Sequence, residues 1–260
     1  MADLEYTVQD GIGTILLNRP HLKNAFTLDM IDQWGEALRS ARTDPGVRVV
    51  VVTGAGDAFC SGIDLDAFNA EASGPLALKS LLTDRIHRVA HAVDDLDKPL
   101  IAAVNGVAVG AGMDMALMCD IRLLARSARL SEGYIRLGLV PGDGGCYYLP
   151  RLVGMAKALE LLWTGDFVDA DEACRIGIAD HVHADEDFAE AWRRYAQRLA
   201  EQPPINVQMI KRAAYQSART DVRTALDLIS SHMAVVHSTH DSAEAMAAFR
   251  DRRAPVFEGR

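Results

Sequence analysis

The chain predicts an α/β fold with a mostly parallel inner sheet and a helical C-terminal third. Three observations carry this. Residues 47–53 and Leu100–Val104 are near-continuous β-branched and aliphatic runs, as expected of central strands covered on both faces. Strand-like and helix-like stretches alternate up to Pro141, which implies crossover connections between parallel strands. Beyond Pro141 nearly every stretch favours helix. With 260 residues, the chain is long enough for one large domain or a domain plus a helical extension.

Each element has a local cause. Two alternating runs, Leu4–Gln9 and residues 13–17, flank Asp10-Gly11, a hairpin signal. Asn18-Arg19-Pro20 ends the second run. Thr27 is placed to cap a helix reaching about Arg42, which Asp44-Pro45-Gly46 terminates. A helix is expected over residues 75–93, then strands at Leu100–Val104 and Ile121–Ala125, with a short helix opening near Ala111 between them. Further helices are expected over residues 144–153, 155–163, 169–176, 188–200, 205–218 and 222–248. Asp169 and Gly177 supply start and stop signals for the third of these. Asp241-Ser-Ala-Glu244 resembles a capping pattern, and Pro203-Pro204 marks a corner.

Composition narrows the function. The net charge of −9 argues against broad nucleic-acid or anionic-membrane binding. Cys60, Cys119, Cys146 and Cys174 are widely spaced, as expected of reduced thiols in a cytoplasmic protein. The acidic N-terminus lacks a signal-peptide pattern. The eight histidines show no H-E-x-x-H or paired spacing, so no metal site is expected. Gly54-x-Gly56 and Gly110-x-Gly112 each lack the third glycine of a dinucleotide fingerprint. No G-x-S-x-G elbow supports Ser61 or Cys60 as a hydrolase nucleophile.

Two glycine-rich turns are the most informative segments: Phe59-Cys60-Ser61-Gly62-Ile63-Asp64-Leu65, and Asn105-Gly106-Val107-Ala108-Val109-Gly110-Ala111-Gly112-Met113-Asp114. Each follows a strand-like run and leads towards a helix. Such turns leave backbone N–H groups unpaired and directed outward. Two of them facing one another could hold an oxygen between two donors, which is how an oxyanion is stabilised.

The first turn resembles the first signature of the enoyl-CoA hydratase/isomerase (crotonase) superfamily. The segment from Lys98 to Asp114, ending in Met118-Cys119-Asp120, resembles the second. Asn18-Arg19-Pro20 with Asn24-Ala25, the stretch from Leu137 to Gly145, and the stretch from Leu162-Trp163-Thr164-Gly165 to Ala173 also fit. The resemblance implies a repeated β-β-α spiral core over residues 1–200. It implies a C-terminal helical region over 201–260 that serves self-association, as a trimer or a dimer of trimers. It implies an acyl-CoA substrate, with coenzyme A part of that substrate and no further cofactor, and neither nucleic acid nor membrane as partner. The oxyanion donors would be the N–H groups of Ile63 and Ala111. The family usually has a small residue where Ile63 stands, so its bulk is expected to narrow the thioester slot.

The acids depart from the hydratase pattern, which places glutamates at two positions. Asp114 occupies the first and Tyr134 the second. Two carboxylates suit the addition of water across a double bond. An aspartate is shorter, and a phenol ordinarily titrates near 10. Glu132 and Asp143 are nearby substitutes. Glu132 depends on whether its stretch is extended or coiled, and Asp143 could instead cap the helix that follows. A single carboxylate suffices to shift a double bond, so proton transfer by Asp114 with isomerisation is at least as plausible as hydration. Thioester hydrolysis, decarboxylation and a non-catalytic RNA-binding role are the alternatives. Contacts to coenzyme A are expected from Lys23 and Ala25, from Ser61, Asp64 and Leu65, and from the charge of Arg252 or Arg253, within the chain or from a neighbouring subunit. The acyl tail is expected along Leu78, Leu81, Leu82 and Ile86.

Overall fold

A computed structural model describes residues 2–66, 68 and 74–260. The strands are β1 (Leu4–Gln9), β2 (Ile12–Leu17), β3 (Val49–Gly54), β4 (Ala58–Cys60), β5 (Leu100–Val104), β6 (Val107–Val109), β7 (Ile121–Ala125), β8 (Arg129–Ser131), β9 (Val168–Asp169) and β10 (His181–His183). They form a six-stranded sheet in the order β1-β2-β3-β5-β7-β10 and a four-stranded sheet in the order β4-β6-β8-β9. All neighbours in the larger sheet are parallel except the β1–β2 hairpin. The pairs β3–β4, β5–β6 and β7–β8 each send the first strand to the large sheet and the second to the small one. This repetition is the spiral that the resemblance implied. The small sheet was not legible in the sequence, because three-residue strands carry no periodicity of their own.

β3 shows why its sequence is uniformly apolar. Val50 and Val52 enter the main core, while Val49 and Val51 enter a second cluster beneath the helix Asp185–Ala200. Phe188 and Trp192 of that helix are nearly fully buried there. Each such side chain contributes about 1.5–3 kcal/mol by leaving water.

Several helices follow the expected caps. Thr27 caps α1 (Leu28–Thr43), accepting from Met30 N–H at 3.3 Å. Asp169 caps the helix Ala170–Ile176, accepting from Glu172 N–H at 2.8 Å, and left-handed Gly177 ends it. Other expectations are corrected. The segment 75–93 is not one helix: a π-helical turn at Leu82–Ile86 separates Pro75–Leu81 from Arg88–Asp94. The run 222–248 breaks at Ser238-Thr239 into Val222–His237 and His240–Asp251. Thr239 caps the second of these. Asp241 does not cap it; its buried carboxylate accepts 2.8 Å bonds from Glu258 and Gly259 N–H and so ties down the C-terminal tail. Among the described residues, no helix is long and apolar enough to cross a membrane.

Candidate active site

Both glycine-rich turns lie where the two sheets meet. They follow the short strands β4 and β6, not β3 and β5 directly. Phe26 forms a parallel bridge with Ile63, in which Phe26 N–H donates to Gly62 O and Asp64 N–H to Phe26 O, each at 2.9 Å. That pairing uses the groups on either side of Ile63 and turns its own N–H away. Gly62 sits at φ +101°, and a side chain there would meet Val109 O at 3.0 Å and Ala111 N at 3.6 Å. Gly112 lies so close to the Cys60 carbonyl that no side chain fits between the turns. Ala111 opens the helix Ala111–Leu117, where an N–H has no intrahelical acceptor. The turns therefore abut, with the Ala111 nitrogen close to Gly62.

Next to them stands a cluster of acids. Asp114, in the first turn of that helix, is fully buried. Glu132 follows β8 and is 1 % exposed; Asp143 precedes the helix Gly145–Val153 and is also buried. Asp143 does not cap that helix. Its Oδ2 instead lies 2.8 Å from the Tyr134 hydroxyl, and Asp114 Oδ2 lies 2.8 Å from the same hydroxyl. The Tyr134 ring packs over Gly110, immediately before Ala111. Asp114 Oδ1 and both oxygens of Glu132 converge on Gly145, and none has a partner of good hydrogen-bond geometry among the described residues.

Burial dominates the electrostatics. It pushes the Asp114 carboxyl up to about 7, helped by the Asp143 charge and opposed by the Tyr134 phenol, Glu132 and the Gly145 amide. Burial and then Asp114 push Glu132 up to about 10, so it is a neutral acid near pH 7. Burial also raises Asp143, against the Tyr134 hydrogen bond and the charge of His87. The Tyr134 phenol is held well above its ordinary value by burial and by both aspartates. Burial raises the Cys60 thiol to about 12, so it stays protonated and cannot serve as a thiolate nucleophile. No three His, Cys, Asp or Glu side chains among the described residues are placed to hold a metal ion.

The expected coenzyme A contacts divide. Lys23, Ala25, Ser61, Asp64 and Leu65 come together: Ser61 N–H donates to Lys23 O at 2.9 Å, and Ser61 Oγ to Leu22 O at 3.2 Å. Arg19 binds Ala25 O at 2.7 Å and Asp64 at 3.0 Å. Lys23 reaches across to Asp57, and Leu65 is exposed. Among the described residues, Arg252 has no hydrogen bond or ion pair linking it to them. It ends the last helix, and the tail beyond it is held by Arg48 through Phe257 O. Arg48 precedes β3 and the loops lie past its other end, so a strand rising about 3.3 Å per residue separates the two.

Leu78 and Leu82 line a cavity of about 290 Å³ together with His87, while Ile86 is buried in the core. His87 Nε2 lies 2.8 Å from Gly142 O, so this cavity borders the loop that carries Asp143. A larger cavity of about 930 Å³ lies elsewhere, between Met118–Arg122 and the helix Pro204–Ser217, and contains none of these acids.

Sequence reasoning missed two organising residues. Buried Asn24 donates to Ala55 O and Ala58 O (2.9 and 2.8 Å) and accepts from Arg19 N–H, clamping the loop to the first turn. Asn24 adopts a left-handed backbone (φ +57°), and the available signal was the residue type itself, since asparagine favours that conformation. Gly145 leaves the space that the carboxyls fill, which only the fold reveals.

Comparison with known proteins identifies the family. The family profile described as enoyl-CoA hydratase/isomerase matches residues 7–260. The chain is 35% identical over 254 residues to 1,2-epoxyphenylacetyl-CoA isomerase of Escherichia coli, covering 97% of each chain. It is 33% identical over 251 residues to crotonyl-CoA hydratase of Syntrophomonas wolfei, covering 96% and 95%. It superposes on the crystal structure of enoyl-CoA hydratase from Bacillus anthracis with a TM-score of 0.94 at 30% identity, covering all of both chains. The chain belongs to the enoyl-CoA hydratase/isomerase family, the crotonase superfamily.

Proposed function

We propose that the protein shifts the double bond of an enoyl-CoA thioester by proton transfer, with Asp114 as the base and the Ile63 and Ala111 amides holding the thioester oxygen. An enolate needs charge stabilisation at that oxygen, and one donor of this kind is typically worth about 10²–10³ in rate. The loops bearing Lys23, Ala25, Ser61, Asp64 and Leu65 lead to the first donor and are assigned to coenzyme A. The 290 Å³ cavity beside Leu78 and Leu82 is assigned to the acyl tail.

One observation favours isomerisation over hydration. The Tyr134 phenol oxygen stands 2.8 Å from both Asp114 and Asp143. A water held between two carboxylates would need that position, and the phenol fills it. The helices beyond residue 201 are assigned to self-association, as a trimer or dimer of trimers. Their support is unburied apolar surface, including Ile210 (68 %), Val222 (70 %) and Phe249 (86 %).

The test offers 3-enoyl-CoA and 2-enoyl-CoA separately and follows conjugation and water addition. Conversion of the 3-enoyl to the 2-enoyl form, with much slower hydration, is expected. Rapid hydration of crotonyl-CoA that survives Asp114→Asn would overturn the assignment.

A further inference from the structure

The hydrogen bonds of Tyr134 fix how many protons the acid cluster holds. A phenol has one proton to donate, yet two carboxyl oxygens lie 2.8 Å from it. Were Asp114 and Asp143 both ionised, one would face a lone pair of the phenol oxygen across that distance. One of them is therefore an acid that donates to the phenol oxygen. Glu132, buried with no donor to either oxygen, is also an acid, and its proton is available to Asp114 Oδ1 where both converge on Gly145. His87 is the basic group that faces Asp143, and it bonds to Gly142 O. The cluster thus carries at most one negative charge over three carboxyls, and the active form is the one that carries it. Hydrogen bonds run Tyr134 to Asp114 and Asp143 to Tyr134 when the charge sits on Asp114. With the charge on Asp143, the two bonds through Tyr134 reverse.

The two aspartates also stand at different ends of the site. Asp114 is three residues beyond the Ala111 amide. Asp143 is in the loop that packs on Leu82 and His87, beside the cavity assigned to the tail. We propose that Tyr134 joins Asp114 and Asp143 into a two-carboxyl proton relay, in which Asp114 removes a proton next to the thioester carbonyl and Asp143 delivers a different proton farther along the acyl chain.

The steps balance. Asp114 carboxylate takes the proton from the carbon next to the carbonyl, and the C–H electron pair enters the dienolate. The Asp143 O–H bond breaks as its proton joins the γ carbon, which supplies the bonding pair. Asp114 is then the acid and Asp143 the carboxylate. Transfer from Asp114 to the phenol oxygen, with transfer of the phenol proton to Asp143, restores the starting state without any co-reactant.

This deepens the reading of the site as an enoyl-CoA isomerase and rests on it. The experiment compares wild type with Asp143→Asn by two readouts in deuterium oxide: exchange of the hydrogen next to the carbonyl of a saturated acyl-CoA, and conversion of 3-enoyl-CoA to 2-enoyl-CoA. The relay expects the conversion to fall at least about 100-fold more than the exchange, in the range for loss of a general acid. Equal losses, or none, overturn it. Tyr134→Phe keeps both carboxyls and cuts the return path. It is expected to release about one product per subunit in a burst before a slower phase; a linear time course overturns the relay. If wild type shows neither exchange nor conversion, the isomerase reading itself fails, which is a distinct result.

Discussion

Gly145 lies against the carboxyl of Glu132 so closely that a methyl group there would stand 2.7 Å from Oε1 and 2.9 Å from Oε2, and would also collide with Asp114 Oδ1. The helix Gly145–Val153 would otherwise prefer alanine at this point. Gly145→Ala is therefore expected to destabilise the protein by about 1–3 kcal/mol, as overpacking does. It should also lower enoyl-CoA turnover, because the acids must move apart. Urea unfolding and turnover, measured on the same sample, check this.

Glu132 makes stability fall as pH rises. Its folded value of about 10 lies far above the unfolded one near 4.5. The folded chain thus binds the proton more tightly, and the stabilisation is complete below pH 4.5 and is lost progressively up to about pH 10. Glu132→Gln keeps the shape and a donor but cannot ionise. Relative to wild type, its stability should improve from pH 5 to pH 9 by an amount on the order of a few kcal/mol. Urea unfolding as a function of pH tests the slope.

As the proposed base, Asp114 should set a pH limb in activity. It must be ionised to accept a proton, and burial raises it to about 7. The kcat/KM for 3-enoyl-CoA should rise with pH through a midpoint near 7. Asp114→Asn should remove the limb and about 10²–10⁴ of the rate. The paired measurement is a pH profile of both proteins, with circular dichroism confirming the fold.

Gly112→Ala tests the oxyanion assignment without altering any acid. Its Cβ would approach the Cys60 carbonyl carbon to 2.8 Å and force the two turns apart. Loss of one donor should cost about 10²–10³ in kcat. Retention of full kcat would remove the Ile63–Ala111 pair from the mechanism.

Light scattering addresses the C-terminal helices. An assembly larger than one chain is expected, because Ile210, Val222 and Phe249 lie 68–86 % exposed. A monomer at micromolar concentration would contradict it.

The sequence by itself determined the elements with strong local causes. The valine run of β3 reports burial on both faces. Thr27, Asp169 and Gly177 report caps and stops. The two glycine-rich turns, through their match to the family signatures, reported the family and where in the chain the donors are expected. Local chemistry suffices for these, since a cap or a turn involves neighbours a few residues apart. Tertiary structure alone decided that Asp143 turns to Tyr134 instead of capping its helix, and that Glu132 is buried. Asp114, Glu132, Tyr134 and Asp143 come from a helix, the end of β8, the 3-10 helix Gly133–Leu137 and a loop. Their protonation depends on the dielectric and the partners that burial imposes, and neither quantity is written in the spacing of residues.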